Sequence, residues 1–223
     1  MMHAIGIGPG NIGYMTRHGA DLLARAEVVA GFGAVLRVAE PLLPLAAEQI
    51  LMRYSDQEQR LADLAAAHAA GRRCVTLFMG DIGFSGFQLL ERLERACGER
   101  VDYVPGISAA QMAAAAGRVC FDETVFVSFH RRGDLSLFKQ RLRRALIEGW
   151  HAIVIPHPWD FMPDAIARHL LAEGLPAEQP LTVWEDLSRA ERRWEGRLAD
   201  CPEGFSDMSI MLIRSLTPVG SAV

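Results

Sequence analysis

The run Ala4-Ile5-Gly6-Ile7-Gly8-Pro9-Gly10, continued by Asn11-Ile12-Gly13, carries the strongest chemical signal in this chain of 223 residues. Its glycines follow an apolar stretch. It reads as a short buried strand entering a loop whose backbone can lie against a ligand with no Cβ in the way. Pro9 stiffens that loop and removes one N–H donor. Two further loops have the same makeup: Gly80-Asp81-Ile82-Gly83-Phe84-Ser85-Gly86 and Pro105-Gly106-Ile107-Ser108. In an open parallel sheet the carboxyl ends of the strands form one rim, and ligands bind there. The first loop also fits G-x-G-x-x-G from Gly8 to Gly13. A dinucleotide site would want an acid at the end of the second strand, about 20 residues on. The candidate strand Glu27-Val28-Val29-Ala30 has its only acid at its beginning, which argues against a dinucleotide. A tight turn without a ligand accounts for one such loop, but less well for three.

Composition bounds the class. Half the residues are hydrophobic, 22% are charged and the net charge is −4, so bulk electrostatics do not point to nucleic acid. Cys74, Cys97, Cys120 and Cys201 lie far apart and form no C-x-x-C pair, which favours a reducing, cytoplasmic setting over a zinc or redox framework. No basic region followed by an apolar stretch opens the chain, and no apolar run is long enough for a transmembrane helix. The expectation is a cytoplasmic protein with no membrane and no nucleic-acid partner.

The elements that must position these loops alternate between strand and helix. Thr16 is a suitable N-cap for the first helix. A helix-like stretch at 34–40 is stopped by Pro41 and Pro44, and a strand follows near 49–52. Ser55-Asp56-Gln57-Glu58 reads as a capping box opening an alanine-rich helix that Gly71 ends. Strands at 73–79 and 100–104 feed the second and third glycine loops, and a small-residue helix spans 109–116. Further on, strands are expected at 125–129, 151–155, 181–184, 193–198 and 209–214. The last two are expected to be antiparallel neighbours across Pro202-Glu203-Gly204. Asp134 can cap a helix over 135–148 that carries Lys139, Arg141, Arg143 and Arg144 on exposed positions, and Pro163 suits the first turn of a helix ending before Gly174. The fold class is α/β, with two α/β lobes: residues 1–117 with the glycine loops, residues 118–217, and a tail at 218–223.

The ordered set Gly6-Ile7-Gly8-Pro9-Gly10, Val28-Val29-Ala30-Gly31, Gly80–Gly86 and Pro105-Gly106-Ile107-Ser108 resembles the tetrapyrrole (corrin and porphyrin) methyltransferases, over roughly residues 3–214. Ser128-Phe129-His130, the helix from Pro163 to Gly174, and Trp184-Glu185-Asp186-Leu187 with Glu191 narrow the resemblance. They look like the branch that methylates precorrin-7 or cobalt-precorrin-7 at ring carbon 5 in cobalamin synthesis. The resemblance implies a tetrapyrrole methylase-like homodimer that binds S-adenosylmethionine in a ligand cleft between the lobes, held largely by backbone. It assigns Gly8 and Pro9, then Gly80, Asp81, Ile82 and Phe84, then Ser108 and Ala109 to the cofactor, with His157 and Met211 closing over adenine or ribose. A carboxylate at Asp81 would gain from a nearby sulfonium or amino group. The corrinoid substrate carries carboxylate arms, for which the forks of Arg131 and Arg132 are suited. Trp159 would stack on the macrocycle or pack, and His130 is the candidate for moving a proton. Fused relatives carry a second, decarboxylating methyltransferase domain, so a separate protein is expected to supply that step.

Four positions depart from the family's usual pattern. Ile82 replaces proline in G-D-P, which relaxes φ and suggests a less rigid loop. Ser85 stands where an aromatic is common, Arg131 where glycine is usual in H-G-R, and Pro156-His157 where Thr-Asp is expected. The alternatives are a methyltransferase of another tetrapyrrole or ring position, and a non-catalytic tetrapyrrole- or cofactor-binding subunit.

Overall fold

A computed structural model describes residues 2–158 and 160–220. The chain divides into two compact units, residues 1–108 and 109–223, each with its own five-stranded sheet.

The first unit holds β1 (Met2–Gly6), α1 (Arg17–Leu23), β2 (Val28–Phe32), α2 (Gly33–Ala39), β3 (Glu48–Met52), α3 (Gln57–Ala69), β4 (Cys74–Phe78), α4 (Phe87–Cys97) and β5 (Asp102–Val104). The strands are all parallel, in the order β3-β2-β4-β1-β5. Alternate side chains go to opposite faces of each strand, so both faces need a cover. Ile5, Val29, Val75, Leu77 and Val104 pack with Leu23 of α1 and with Val35, Leu36 and Ala39 of α2. Ala4, Val28, Ala30, Cys74 and Phe78 pack on the other face with Leu61 and Leu64 of α3 and Leu89, Leu90 and Leu93 of α4. The result is a doubly wound, three-layer unit. β1 and β4 are neighbours whose following helices cover opposite faces, which is the switch point where such sheets bind ligands.

Local signals explain most element ends. Thr16 accepts from the Gly19 amide at 3.1 Å, as an N-cap should. The capping box at Ser55 does not form. Helix α3 starts at Gln57, and the Asp56 carboxylate instead accepts from the Arg53 amide at 2.7 Å. That short local bond competes with the cap and wins.

The second unit holds α5 (Ala109–Gly117), β6 (Thr124–Ser128), α6 (Ser136–Ile147), β7 (His151–Ile155), α7 (Pro163–Ala172), β8 (Pro180–Glu185), β9 (Arg192–Arg197) and β10 (Ser209–Ile213), with strand order β6-β7-β10-β8-β9. Two expectations are corrected here. Helix α5 groups with this unit rather than with residues 1–108, because its small residues pack on the second sheet; Gly117, for example, lies against Leu212 and Trp184. The last two strands are not neighbours. β10 is buried along its whole length and takes the centre of the sheet, antiparallel to both β7 and β8. β9 carries Arg192, Arg193, Glu195 and Arg197 and takes the edge, where charge is tolerated and discourages further pairing. Asp134 caps locally, its carboxylate accepting from the amide and hydroxyl of Ser136 at 3.0 and 2.6 Å. Among the described residues, no helix is long and apolar enough to cross a membrane.

Candidate functional site

The loops after β4, β1 and β5 stand side by side on one rim of the first sheet, because those three strands are adjacent and parallel. Their backbones touch. The Gly80 amide donates to the Gly8 carbonyl at 2.7 Å, and the Gly8 amide donates back to Gly80 at 3.3 Å. A Cβ at Gly6 would lie 2.6 Å from the Gly80 oxygen and 2.8 Å from the Gly106 nitrogen. A Cβ at Gly106 would collide with the Gly80 oxygen and lie 2.7 Å from that of Gly6. Gly8 has φ +89°, where L side chains are strained, and a Cβ there would sit 3.1 Å from the Tyr14 backbone. The glycines are therefore needed first to let three loops meet, and the result is a continuous surface of backbone.

Asp81 ties that surface together. Its side chain is buried, and both oxygens are taken by the protein itself. Oδ1 accepts from the Gly83 amide at 2.8 Å and the Tyr103 hydroxyl at 2.5 Å, and Oδ2 accepts from the Gly106 amide at 2.8 Å. The sequence reading aimed this carboxylate at a bound sulfonium or amine. In the structure it is spent on the loops, since a buried carboxylate must be satisfied by whatever donors surround it. Beyond it, Ile82–Gly86 forms a π-helical turn, a feature frequent at functional sites. Ile82, expected to relax the loop, is packed inward. Its side chain is fully buried in the core beside Leu89 and Leu90, so packing supplies the anchoring that proline would give through φ.

The other cofactor candidates divide. Pro9 and Ser108 are buried at the rim, while Phe84 and Ala109 are half-buried. Met211 belongs to the core of the second unit, fully buried with Val127, Phe129, Val154 and Val183, so its side chain faces packing rather than a ligand.

A second rim lies in the second unit. β6, β7 and β8 run in the same direction, so the segments after Ser128, Ile155 and Glu185 emerge at one end of the sheet. The Phe129 amide donates to the Ile155 carbonyl at 2.8 Å, and the Arg131 amide donates to the Phe129 carbonyl at 2.7 Å, turning the chain sharply at His130. His157 and Phe161 pair across a short turn. Trp159, within that turn, lies outside the described residues. Phe161 meets Phe129 edge-on at 4.9 Å, and the Lys139 ammonium sits 4.2 Å from its ring centre, so Lys139 is not simply solvated as expected. The Arg131 guanidinium lies 4.1 Å from the Phe138 ring centre, while Arg132 is exposed. Burial, and next the nearby His157, hold the His130 imidazole below its usual pKa, with Asp207 opposing. His130 is therefore neutral at pH 7 and able to accept a proton.

His3, His151 and His169 are also lowered, in each case chiefly by burial. Folded histidines that resist protonation leave the unfolded chain binding more protons below its own pKa of about 6.5. Stability is thus full above that pH and is lost as the pH falls toward the folded values. Thermal melts should show Tm dropping by several degrees between about pH 7 and pH 5, and His130→Gln should reduce the slope.

Tyr103 was missed by the sequence reading, which treated 100–104 as a plain strand. The signal was a tyrosine within the short strand that leads into Pro105-Gly106.

The chain is similar in sequence and in fold to several known proteins. The family model described as Tetrapyrrole (Corrin/Porphyrin) Methylases matches residues 1–202. A siroheme synthase of Tolumonas auensis is 30% identical over 218 residues, which is 91% of this chain and 46% of the relative. A uroporphyrinogen-III C-methyltransferase of Paracoccus denitrificans is 31% identical over 215 residues, covering 88% of this chain and 72% of the relative. The chain thus spans about half the length of the first relative. The crystal structure of the methyltransferase CobJ superposes with a TM-score of 0.79 at 20% identity, covering 96% of this chain and 94% of that one, a likeness of fold.

Proposed function

Because the chain belongs to the tetrapyrrole (corrin/porphyrin) methylases, which use S-adenosylmethionine as methyl donor, we propose that it methylates ring carbon 5 of precorrin-7 or cobalt-precorrin-7 in cobalamin synthesis. The observation that carries the ring position is the pair of branch-like motifs Ser128-Phe129-His130 and Trp184-Glu185-Asp186-Leu187, which end on the same rim of the second sheet.

The residues present fit the donor. Gly6, Gly8 and Gly106 leave no room for a Cβ against neighbouring backbone, which brings the main chain of three loops to one rim, as main-chain recognition of a folded nucleoside requires. When bound, S-adenosylmethionine supplies a methyl carbon activated by its sulfonium leaving group. The protein's part is alignment and exclusion of water, which in favourable cases supplies on the order of 7–11 kcal/mol of the barrier. Gly8, Pro9, Gly80, Ser108 and the backbone around Phe84 hold the donor. Arg131 and Arg132 hold carboxylate arms of the macrocycle through charge-assisted hydrogen bonds. His130, neutral at pH 7, takes the proton released from the methylated ring at an imidazole nitrogen. This reading brings with it a homodimer.

Incubation with precorrin-7 and S-adenosylmethionine should give a product carrying one more methyl group by mass spectrometry, placed on ring carbon 5 by carbon NMR. The identities to a siroheme synthase and a uroporphyrinogen-III C-methyltransferase favour a second reading, methylation of uroporphyrinogen III. Turnover of that compound and not of precorrin-7 would establish it and reject the first.

A further inference from the structure

Tyr103 lies on β5 in register with Ala4 of β1, next to the glycine rim. Its hydroxyl makes two hydrogen bonds of opposite sense. It donates to Asp81 Oδ1 at 2.5 Å and accepts from the Gly83 amide at 2.9 Å. The other Asp81 oxygen accepts from the Gly106 amide at 2.8 Å. The loop after β4 and the loop after β5 are thus joined through one carboxylate, and that carboxylate is oriented by one phenol.

We propose that Tyr103 is a positioning residue of the methyl-donor site, its hydroxyl fixing Asp81 so that the Gly80–Gly86 and Pro105–Ser108 loops present one rigid backbone surface. The proposal rests on the reading that this rim holds S-adenosylmethionine. A phenol both donates and accepts at this reach, which neither phenylalanine nor an aliphatic residue can do. A bond from a hydroxyl to a carboxylate is also of the stronger, charge-assisted kind. Burial and the adjacent carboxylate push the Tyr103 hydroxyl up to about 12, so it keeps its proton, and its donor role, well into the alkaline range. Without the hydroxyl, Asp81 Oδ1 keeps only the Gly83 amide, and that amide loses its second acceptor. The π-helical turn at Ile82–Gly86 would then lose the Gly83–Tyr103 bond and keep the Gly83–Asp81 bond and the buried Ile82.

Tyr103→Phe is the test, with Glu48→Gln as control. Glu48 pairs with Arg72 at the amino end of β3, away from the rim. In Tyr103→Phe, calorimetry should show affinity for S-adenosylhomocysteine about tenfold weaker, the size of one lost hydrogen bond. The KM for the donor should rise alike, with kcat at saturating donor unchanged. Amide hydrogen exchange at Gly83 and Gly106 should quicken. Glu48→Gln should leave affinity and exchange at those amides as they are. If Tyr103→Phe does not fold, ring-fluorinated tyrosine at position 103 keeps the packing and acidifies the phenol. Donor affinity should then fall with rising pH while the natural protein stays flat. A wild-type protein that binds S-adenosylhomocysteine, with a Tyr103→Phe variant matching it in affinity and exchange, overturns the proposal. A wild-type protein that does not bind that compound overturns the donor-site reading itself, a different result from the same titration.

Discussion

Gly106→Ala should abolish binding of S-adenosylhomocysteine and lower the folding stability, although it adds a single methyl group. The new Cβ would collide with the Gly80 carbonyl and lie 2.7 Å from that of Gly6. Both neighbours are backbone, Gly6 at the end of β1 and Gly80 in the loop after β4, so neither can swing aside as a side chain would. Overpacking a well-filled site costs about 1–3 kcal/mol, and a backbone neighbour puts this case at the upper end. Relief requires the loop after β5 to move off the loop after β4, which pulls the Gly106 amide from Asp81. Denaturant melts should show the loss of stability, and calorimetry a loss of affinity of more than about a hundredfold, beyond what the same destabilisation elsewhere causes. A Gly106→Ala protein with natural affinity would mean that the three loops do not form a shared surface for the donor.

Asp81→Ala should have the second largest effect. It leaves the Gly106 amide and the Tyr103 hydroxyl without their acceptor, while the Gly83 amide keeps Tyr103. The Gly106 amide is half-buried and Tyr103 is 38% exposed, so each lost bond costs about 1 kcal/mol, and a loss of about 2 kcal/mol in unfolding free energy is expected, together with loss of donor binding. Asp81→Asn should be little better, because its amide nitrogen must face one of the same donors. If Asp81 instead touched the donor directly, Asp81→Asn would fold normally and fail only in binding. Melting and calorimetry on the same sample separate the two roles.

The glycine loops and their common rim could be read from the sequence because the signal is local: an apolar run, then residues without side chains. Strand order was less accessible. Nothing near Ser209 says that β10 crosses to the centre of the sheet, although its uninterrupted apolar character, set against the charges of Arg192–Arg197, does indicate which of the two strands must be buried. The role of Asp81 was hidden for a related reason. A carboxylate in a glycine loop looks the same whether it faces a ligand or the protein, and two of its donors, Tyr103 and Gly106, come 22 and 25 residues later. Ile82 and Met211 were placed at the ligand by resemblance of motif, whereas their side chains are core. Motif position fixes the course of the backbone better than the direction of a side chain, which depends on register. His130 and Arg131 were correctly placed after a strand, but the packing of Arg131 on Phe138 depends on a helix that begins only after them.

The most direct measurement is amide hydrogen exchange, segment by segment, with and without saturating S-adenosylhomocysteine. Protection is expected in all three rim loops together, Gly6–Gly10, Gly80–Gly86 and Gly106–Ser108, because their backbones form a single surface. Tight binding that leaves these three loops unprotected would contradict the placement of the methyl donor on this rim.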